Sequence, residues 1–313
     1  MPTEIAPRNT QNASDVWSEW LLHRRHGGHP KYEPVMRALV EGFRDRVLDG
    51  ANLAPGMVLV DVGAGDGLIA FGAFERLGRL GRDLRAVLVD PSVPLLERAE
   101  RRAAELGLGE RCSFLNTSAE ELRGVADASA DLVTSRAVLA YVADKAKALR
   151  QFYRVLKPGG RISLGEPILR DEAVQLANLT RYLQNKPHAA ATATAWLIRR
   201  WKAAQYPSTA EEIDGNPLTN FTERDLFEMC RLAGFHEIQL ELHIKDRPSS
   251  IKSLEVLMDI SPRPGAPTLR EIFASDFTPE ERRQLEDALR AQFASKFLYE
   301  RDIVAYIVAI KPP

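Results

Sequence analysis

Two rhythms of apolar and polar residues alternate along the first half of the chain. Short apolar runs, "MVLVDV" at 57–62, "RAVLVD" at 85–90 and "RISLGEP" at 161–167, are separated by stretches with helical spacing: "LIAFGAFERLG", "SVPLLERAERRAAELGL" and "DKAKALRQFYRVL". Nearly continuous apolar runs mark strands buried on both faces, and interleaved helices make such strands parallel. With "CSFLNTSAEEL" as a third strand and its exit, and "ADLVTSRAVLAYV" containing a fourth, residues 57–165 read as an α/β unit whose sheet is covered on both sides.

The flanks follow a helical rhythm. "DVWSEWLLHRRH" predicts a helix capped by Asp15, with Trp17, Trp20 and Leu21 on one face. "EPVMRALVEGFRDRVLDGANL" predicts a second, on which Val35, Leu39, Phe43 and Val47 recur at spacing four. Residues 1–14 are polar, contain two prolines and are expected to fray. Beyond 166 the pattern is helical to about 205 with a break near Pro187. Thr222 and Asp225 then give a capping-box-like start to "FTERDLFEMC", and "HEIQLEL" alternates as a strand. Residues 246–299 are helical again, punctuated by Pro262, Pro264 and Pro267, with Thr278 and Pro279 opening a helix. "DIVAYIVAI" closes as a strand.

Composition removes several classes of function. Net charge is −1, so no global attraction to nucleic acid or anionic lipid is expected. Two cysteines, Cys112 and Cys230, with no CxxC, argue against a disulfide framework or a zinc–cysteine site and fit a reducing cytoplasm. No apolar run is long enough for a membrane span, and the first residues do not read as a secretory signal. His23, His26 and His29 recur at spacing three, but Gly27, Gly28 and Pro30 interrupt any helix that would align them, so no metal site is expected.

The candidate chemistry lies in "VLVDVGAGDG". The first bend after a strand of a doubly wound sheet brings backbone to the ligand edge, and glycines there let it approach closely. Gly63, Gly65 and Gly67 give GxGxG rather than the GxGxxG of dinucleotide sites, and Asp61 at the strand end suits a cationic ligand better than a pyrophosphate. This stretch resembles the first motif of class I S-adenosylmethionine-dependent methyltransferases. Matching features follow in order: Asp90 in "VLVDPS", "NTSAEEL", "ADLVTSRAVLAYV", "RVLKPGGRISLGEP", and "LAGF" ahead of "HEIQLEL".

The resemblance implies a Rossmann-like doubly wound, seven-stranded sheet that binds S-adenosylmethionine. It places the cofactor against Asp61, Gly63, Ala64, Gly65 and Gly67. Asp90, followed by Pro91, would accept the ribose hydroxyls, at about 1.5–3 kcal/mol for each charge-assisted bond. Ser118, Ala119 and Glu120 would edge the adenine, Ser135 and Arg136 would sit beside the methionine end, and Tyr32 would reach in from an N-terminal lid. The expected organisation is a helical cap (1–50), a cofactor core (51–167), a helical lid (168–215), core continuation (216–245), a second helical insertion (246–299) and a final strand (300–313).

The acceptor must be held by the additions, and enclosed apolar sites suit small molecules, an aromatic metabolite among them. Glu166, leaving the fifth strand at its carboxyl end, is read either as a general base or acceptor-orienting group, or as a salt bridge or helix cap. Tyr182 and His188 in the inserted helices are further candidates for catalysis beside plain packing. A metal-independent enzyme acting on a small molecule is the leading expectation; by analogy a homodimer is open. A noncatalytic S-adenosylmethionine-binding protein and an NAD(P)-dependent dehydrogenase are the alternatives.

Overall fold

The computed structural model describes residues 15–185, 191–295 and 299–313. Seven strands form one sheet: β1 (Val58–Val62), β2 (Arg85–Asp90), β3 (Cys112–Asn116), β4 (Ala130–Arg136), β5 (Leu156–Pro167), β6 (His236–Pro248) and β7 (Tyr299–Ile310), in the order β3-β2-β1-β4-β5-β7-β6. The first five pair in parallel, whereas β7 enters antiparallel between β5 and β6. Strand order reverses between β1 and its neighbours, which creates a crevice at the carboxyl ends of β1, β2 and β4. This is the Rossmann-like arrangement expected above.

Two apolar cores lie on the faces of the sheet. One packs α5 (Lys145–Val155) and α9 (Glu223–Leu232) through Leu149, Phe152, Leu226 and Cys230. The other packs α2 (Glu33–Gly50), α3 (Leu68–Leu77) and α4 (Val93–Glu105) through Val47, Leu48, Ala70, Leu96 and Ala99. Thr222 and Asp225 do form a capping box, and Asp15 accepts from the Trp17 and Ser18 amides at the start of α1 (Val16–Glu19).

The buried stripe of α2 departs from the periodic reading. Val40, Val47 and Leu48 are buried, whereas Val35 is exposed. A spacing of four overshoots a helical turn by roughly 40° per step, so a stripe read at fours walks off the packed face.

The additions build a third core. Between β5 and α9 lie α6 (Arg170–Gln184), α7 (Ala191–Ala203) and α8 (Ala210–Gly215). Between β6 and β7 lie α10 (Leu254–Asp259), α11 (Leu269–Asp276) and α12 (Pro279–Ser295). Leu197 and Trp201 of α7 pack with Leu254, Met258, Leu269, Phe273, Leu285 and Leu289 from the later set. The two insertions that the sequence separates therefore share one apolar centre. β6 also runs through Pro248, so the second insertion starts later than residue 246.

Candidate functional site

The glycine bend between β1 and α3 is built from left-handed backbone. Gly63, Gly65 and Gly67 have φ of +66°, +56° and +88°. Side chains at two of these positions would also collide, Gly63 with Val138 and Gly67 with the Phe71 ring. At Gly65 an added Cβ would press only on Leu21 Cδ1, at 3.2 Å, a side chain of the facing wall, so of the three this position points into the crevice.

Gly67, as the residue capping α3, has no side chain to satisfy the helix's first amides. Asp61 does part of that work from the strand end. Its Oδ2 accepts from the Ala70 amide at 3.1 Å and its Oδ1 from Thr134 Oγ1 at 2.9 Å, tying β1 to both α3 and β4. Asp90 braces the bend from β2, with Oδ2 accepting from the Gly65 amide and Oδ1 from the Ser92 amide, each at 2.8 Å. Burial pushes both carboxyls up, Asp61 to about 7 and Asp90 to about 6, while their hydrogen bonds oppose the rise.

These elements form one side of a cavity of about 360 Å³. Asp61, Gly63, Ala64, Gly65, Asp90, Pro91, Ser118, Ala119, Glu120 and Arg136 all line it. Gly67 and Ser135 do not: Gly67 is the helix cap, and Ser135 is buried beneath, donating to Glu166 Oε1 at 3.2 Å.

Glu166 is also one layer below the lining. It is fully buried, and its carboxylate accepts from the Val138 amide at 3.0 Å. Burial raises its pKa, and the amides of Val138, Leu139 and Ala140 oppose that rise. The group thus braces the tight turn Leu139–Tyr141, which carries Val138, Tyr141 and Val142 into the cavity wall. The residue between strand and turn, Ala137, has φ +55°, a conformation a non-glycine residue adopts only when its surroundings enforce it.

Tyr32 and Tyr182 stand away from the cavity. Tyr32 is buried against the other insertion with its hydroxyl 3.3 Å from Ser250 Oγ, and Tyr182 is more than half exposed on α6. His188 falls outside the described residues. The other histidines diverge, His26 bonding to the Leu22 carbonyl and His29 to Asp259. Among the described residues there is no cluster of three or more metal-ligating side chains.

The opposite wall comes from the additions. Trp17, Trp20, Leu21 and Arg25 enter from the N-terminal helix, which widens into a π-turn over Trp20–Arg24. Tyr206 follows α7, and Pro262, Arg263 and Pro264 come from the loop before α11. These segments are stitched together: Trp20 Nε1 donates to the Ser261 carbonyl at 3.0 Å, the Ser261 amide to the Arg24 carbonyl at 2.9 Å, and Arg24 pairs with Glu271. Trp17 meets Tyr141 edge-on at 5.1 Å, closing the two walls against each other. The apolar face of Trp17, Trp20 and Leu21 was visible in the sequence; the Pro–Arg–Pro loop read only as punctuation.

Comparison with known proteins agrees with this geometry. The family model described as "Methyltransferase domain" matches residues 53–219, more than half of the chain. A ubiquinone/menaquinone biosynthesis C-methyltransferase of Brucella anthropi is 37% identical over 138 residues, 42% of this chain and 51% of that protein. A tRNA 5-carboxymethoxyuridine methyltransferase of Escherichia coli is 32% identical over 121 residues, 38% of this chain and 43% of its own length. The chain thus spans about half the length of the curated relatives it matches. Among solved structures, a candidate methyltransferase of Bacillus halodurans aligns with TM-score 0.51 and 18% identity over 87% of this chain and all of that one, a likeness of fold.

A glycine cradle open to the cavity and two carboxylates at neighbouring strand ends fit a ligand with a cationic end and sugar hydroxyls better than a dinucleotide. The chain belongs to the methyltransferase-domain family, with S-adenosylmethionine as its cofactor.

Proposed function

We propose that the chain transfers a methyl group from S-adenosylmethionine to a small-molecule acceptor enclosed between the sheet edge and the added helices. The observation that carries this reading is the two-sided cavity: the glycine bend and the strand-end carboxylates form one wall, and the N-terminal helix with the Pro262–Pro264 loop forms the other. When bound, the cofactor supplies a methyl group activated by its sulfonium.

The chain's own residues then have distinct tasks. The open Gly65 peptide admits the ligand, Asp90 accepts the ribose hydroxyls while holding the bend, and Asp61 offers negative charge at the strand end. Ser118, Ala119 and Glu120 edge the base, with Glu120 fixed by the Asp144 amide at 2.9 Å. Trp17, Trp20 and Tyr141 exclude water and align the acceptor, which is much of what a displacement from a good leaving group requires. Glu166 acts through the turn it braces rather than on the acceptor. The relatives named above differ in acceptor, and a cavity of about 360 Å³ walled on two sides favours a compact one over a nucleic acid.

The test is direct. Calorimetry should show S-adenosylhomocysteine binding at one site per chain. Isotope-labelled S-adenosylmethionine offered with indoles, phenols, amines, thiols and a metabolite extract should yield a labelled small molecule. Label appearing only in added RNA would refute the small-molecule assignment, and no binding would refute the cofactor assignment.

A further inference from the structure

The cavity is lined by charges of both signs. Its acids are Asp61 and Asp90 at the ends of β1 and β2, Asp66 in the glycine bend and Glu120 after β3. It also holds three arginines, Arg136 from the sheet edge and Arg25 and Arg263 from the added segments. Among the described residues none of the three forms a salt bridge, although most arginines of this chain do.

None of the three makes an ion pair among these residues, although Arg136 lies in the fields of the buried Glu166 and of Asp66, and Arg25 in that of Asp66. Arg136, at the end of β4, has no hydrogen-bond partner among the described residues, and burial lowers its pKa. Arg25 lies across the Trp20 ring with its Nε buried and unpartnered; burial, with the nearby charge of Arg136, pulls it down to about 10. Arg263 donates from Nε and Nη2 to the Gln205 carbonyl, at 3.1 and 2.5 Å, and stacks over Tyr206. Carbonyl oxygens orient that group and leave its charge uncompensated.

Taking an ion out of water is costly, and an opposite charge beside it offsets that cost. The cofactor brings one carboxylate, but it also brings a sulfonium and an ammonium, so it adds a net positive charge to the cavity. Asp66 acts on both Arg25 and Arg136; Arg25, on the N-terminal segment whose Leu21 lies against Gly65, is the one assigned to the cofactor's carboxylate. Arg136 and Arg263 are left facing the acceptor side. Tyr141 lies in the field of both, and Tyr206 in that of Arg263 and Tyr141, so the four side chains form one neighbourhood.

We propose that the acceptor carries an oxyanion, a carboxylate or a phosphate, seated between Arg136 and Arg263 with the phenols of Tyr141 and Tyr206 beside it. This rests on the methyltransferase reading and narrows its substrate class. It also moves Arg136 from the cofactor's methionine end to the acceptor. The oxyanion anchors the molecule at the lid, leaving its other end for the cofactor side of the cavity.

The test uses the full chain saturated with S-adenosylhomocysteine. Benzoate, indole-3-carboxylate and phenyl phosphate are titrated by calorimetry beside benzamide, indole-3-carboxamide and phenol. At least one anion should bind tenfold or more tighter than its neutral counterpart. Arg136→Gln and, independently, Arg263→Gln should erase that preference while changing S-adenosylhomocysteine affinity less than threefold. The proposal is overturned if no anion exceeds its neutral counterpart tenfold. It is equally overturned if both variants weaken S-adenosylhomocysteine more than tenfold but leave methylthioadenosine, which lacks the carboxylate, unaffected. Failure of the wild-type chain to bind S-adenosylhomocysteine would count against the cofactor reading instead, so the two failures are separable.

Discussion

The two walls of the cavity are built on different principles. The sheet-side wall is local: Asp61, Gly65 and Asp90 sit at the ends of adjacent strands and are fixed by backbone amides within a few residues of those strands. The lid-side wall is assembled from distant pieces, with the Trp20–Ser261 bond joining positions 241 apart and α7 sharing a core with α10 to α12. A local wall depends on individual backbone angles and carboxylates. A stitched wall spreads its integrity over many contacts, so single changes there should matter less to the cofactor and more to the acceptor.

Substitutions can break that contrast. The largest effect is expected at Gly65→Val. A β-branched residue at φ +56° is strained, and its side chain enters the ligand's space, so S-adenosylhomocysteine affinity should fall more than about a hundredfold, roughly 2.7 kcal/mol. Circular dichroism should show the fold retained; unchanged affinity would mean the bend is only a turn.

Next is Glu166→Ala, which leaves the Ser135 hydroxyl and the Val138 amide unpaired in a buried site. Unfolding free energy from urea titration should drop by about 2–3 kcal/mol, with Glu166→Gln recovering part of it. A variant as stable as wild type but inactive would return Glu166 to a direct role in chemistry.

Asp90→Ala should weaken cofactor binding at least about tenfold, or 1.4 kcal/mol, and combines lost ribose bonds with a loosened Gly65. Equal affinity in the variant would contradict the assignment.

Acid should act on the same wall with opposite signs in the free and bound protein. Asp90 and Asp61 have folded pKa values near 6 and 7 against an ordinary 3.8, so the folded chain binds more protons than the unfolded chain between about pH 4 and 7. Their contribution to the stability of the free protein therefore declines as pH rises through that window. Cofactor binding needs the ionised carboxylates, so affinity should fall as pH drops from 8 to 5, by up to about tenfold for a single group of pKa 6. The thermal shift produced by S-adenosylmethionine should accordingly shrink towards pH 5; a constant shift would show that neither group titrates against the ligand.

The smallest effect is expected on the stitched wall. His29→Ala removes one partly buried contact with Asp259, which retains Arg270, and should cost less than about 1 kcal/mol with cofactor affinity unchanged.

The same contrast explains what the sequence disclosed. The sheet-side wall was legible because each residue sits at a fixed place relative to a strand: the acid at its end, the glycines after it, the second acid at the end of the neighbour. Those positions follow from a period of two and from backbone angles that few residues adopt. Arg25, Tyr206 and the Pro262–Pro264 loop were not legible, because their neighbours are set by packing between helices far apart in the chain. Glu166 was found for its place at a strand end, but a period cannot say which way a buried carboxylate bonds. Tyr32 was misplaced for the complementary reason: its position in the N-terminal cap was clear, while its partner, Ser250, lies in an insertion whose docking no local pattern encodes.

The stitched wall also bears on synthesis. The glycine bend and both braced carboxylates lie within the first 90 residues, yet the loop that faces them across the cavity begins at Pro262, and the strand that completes the sheet ends at Ile310. The residues of the sheet-side wall therefore leave the ribosome long before those of the loop that faces them. Only after the segment carrying Ser261 has emerged can Trp20 make the bond that joins the two parts of the lid-side wall.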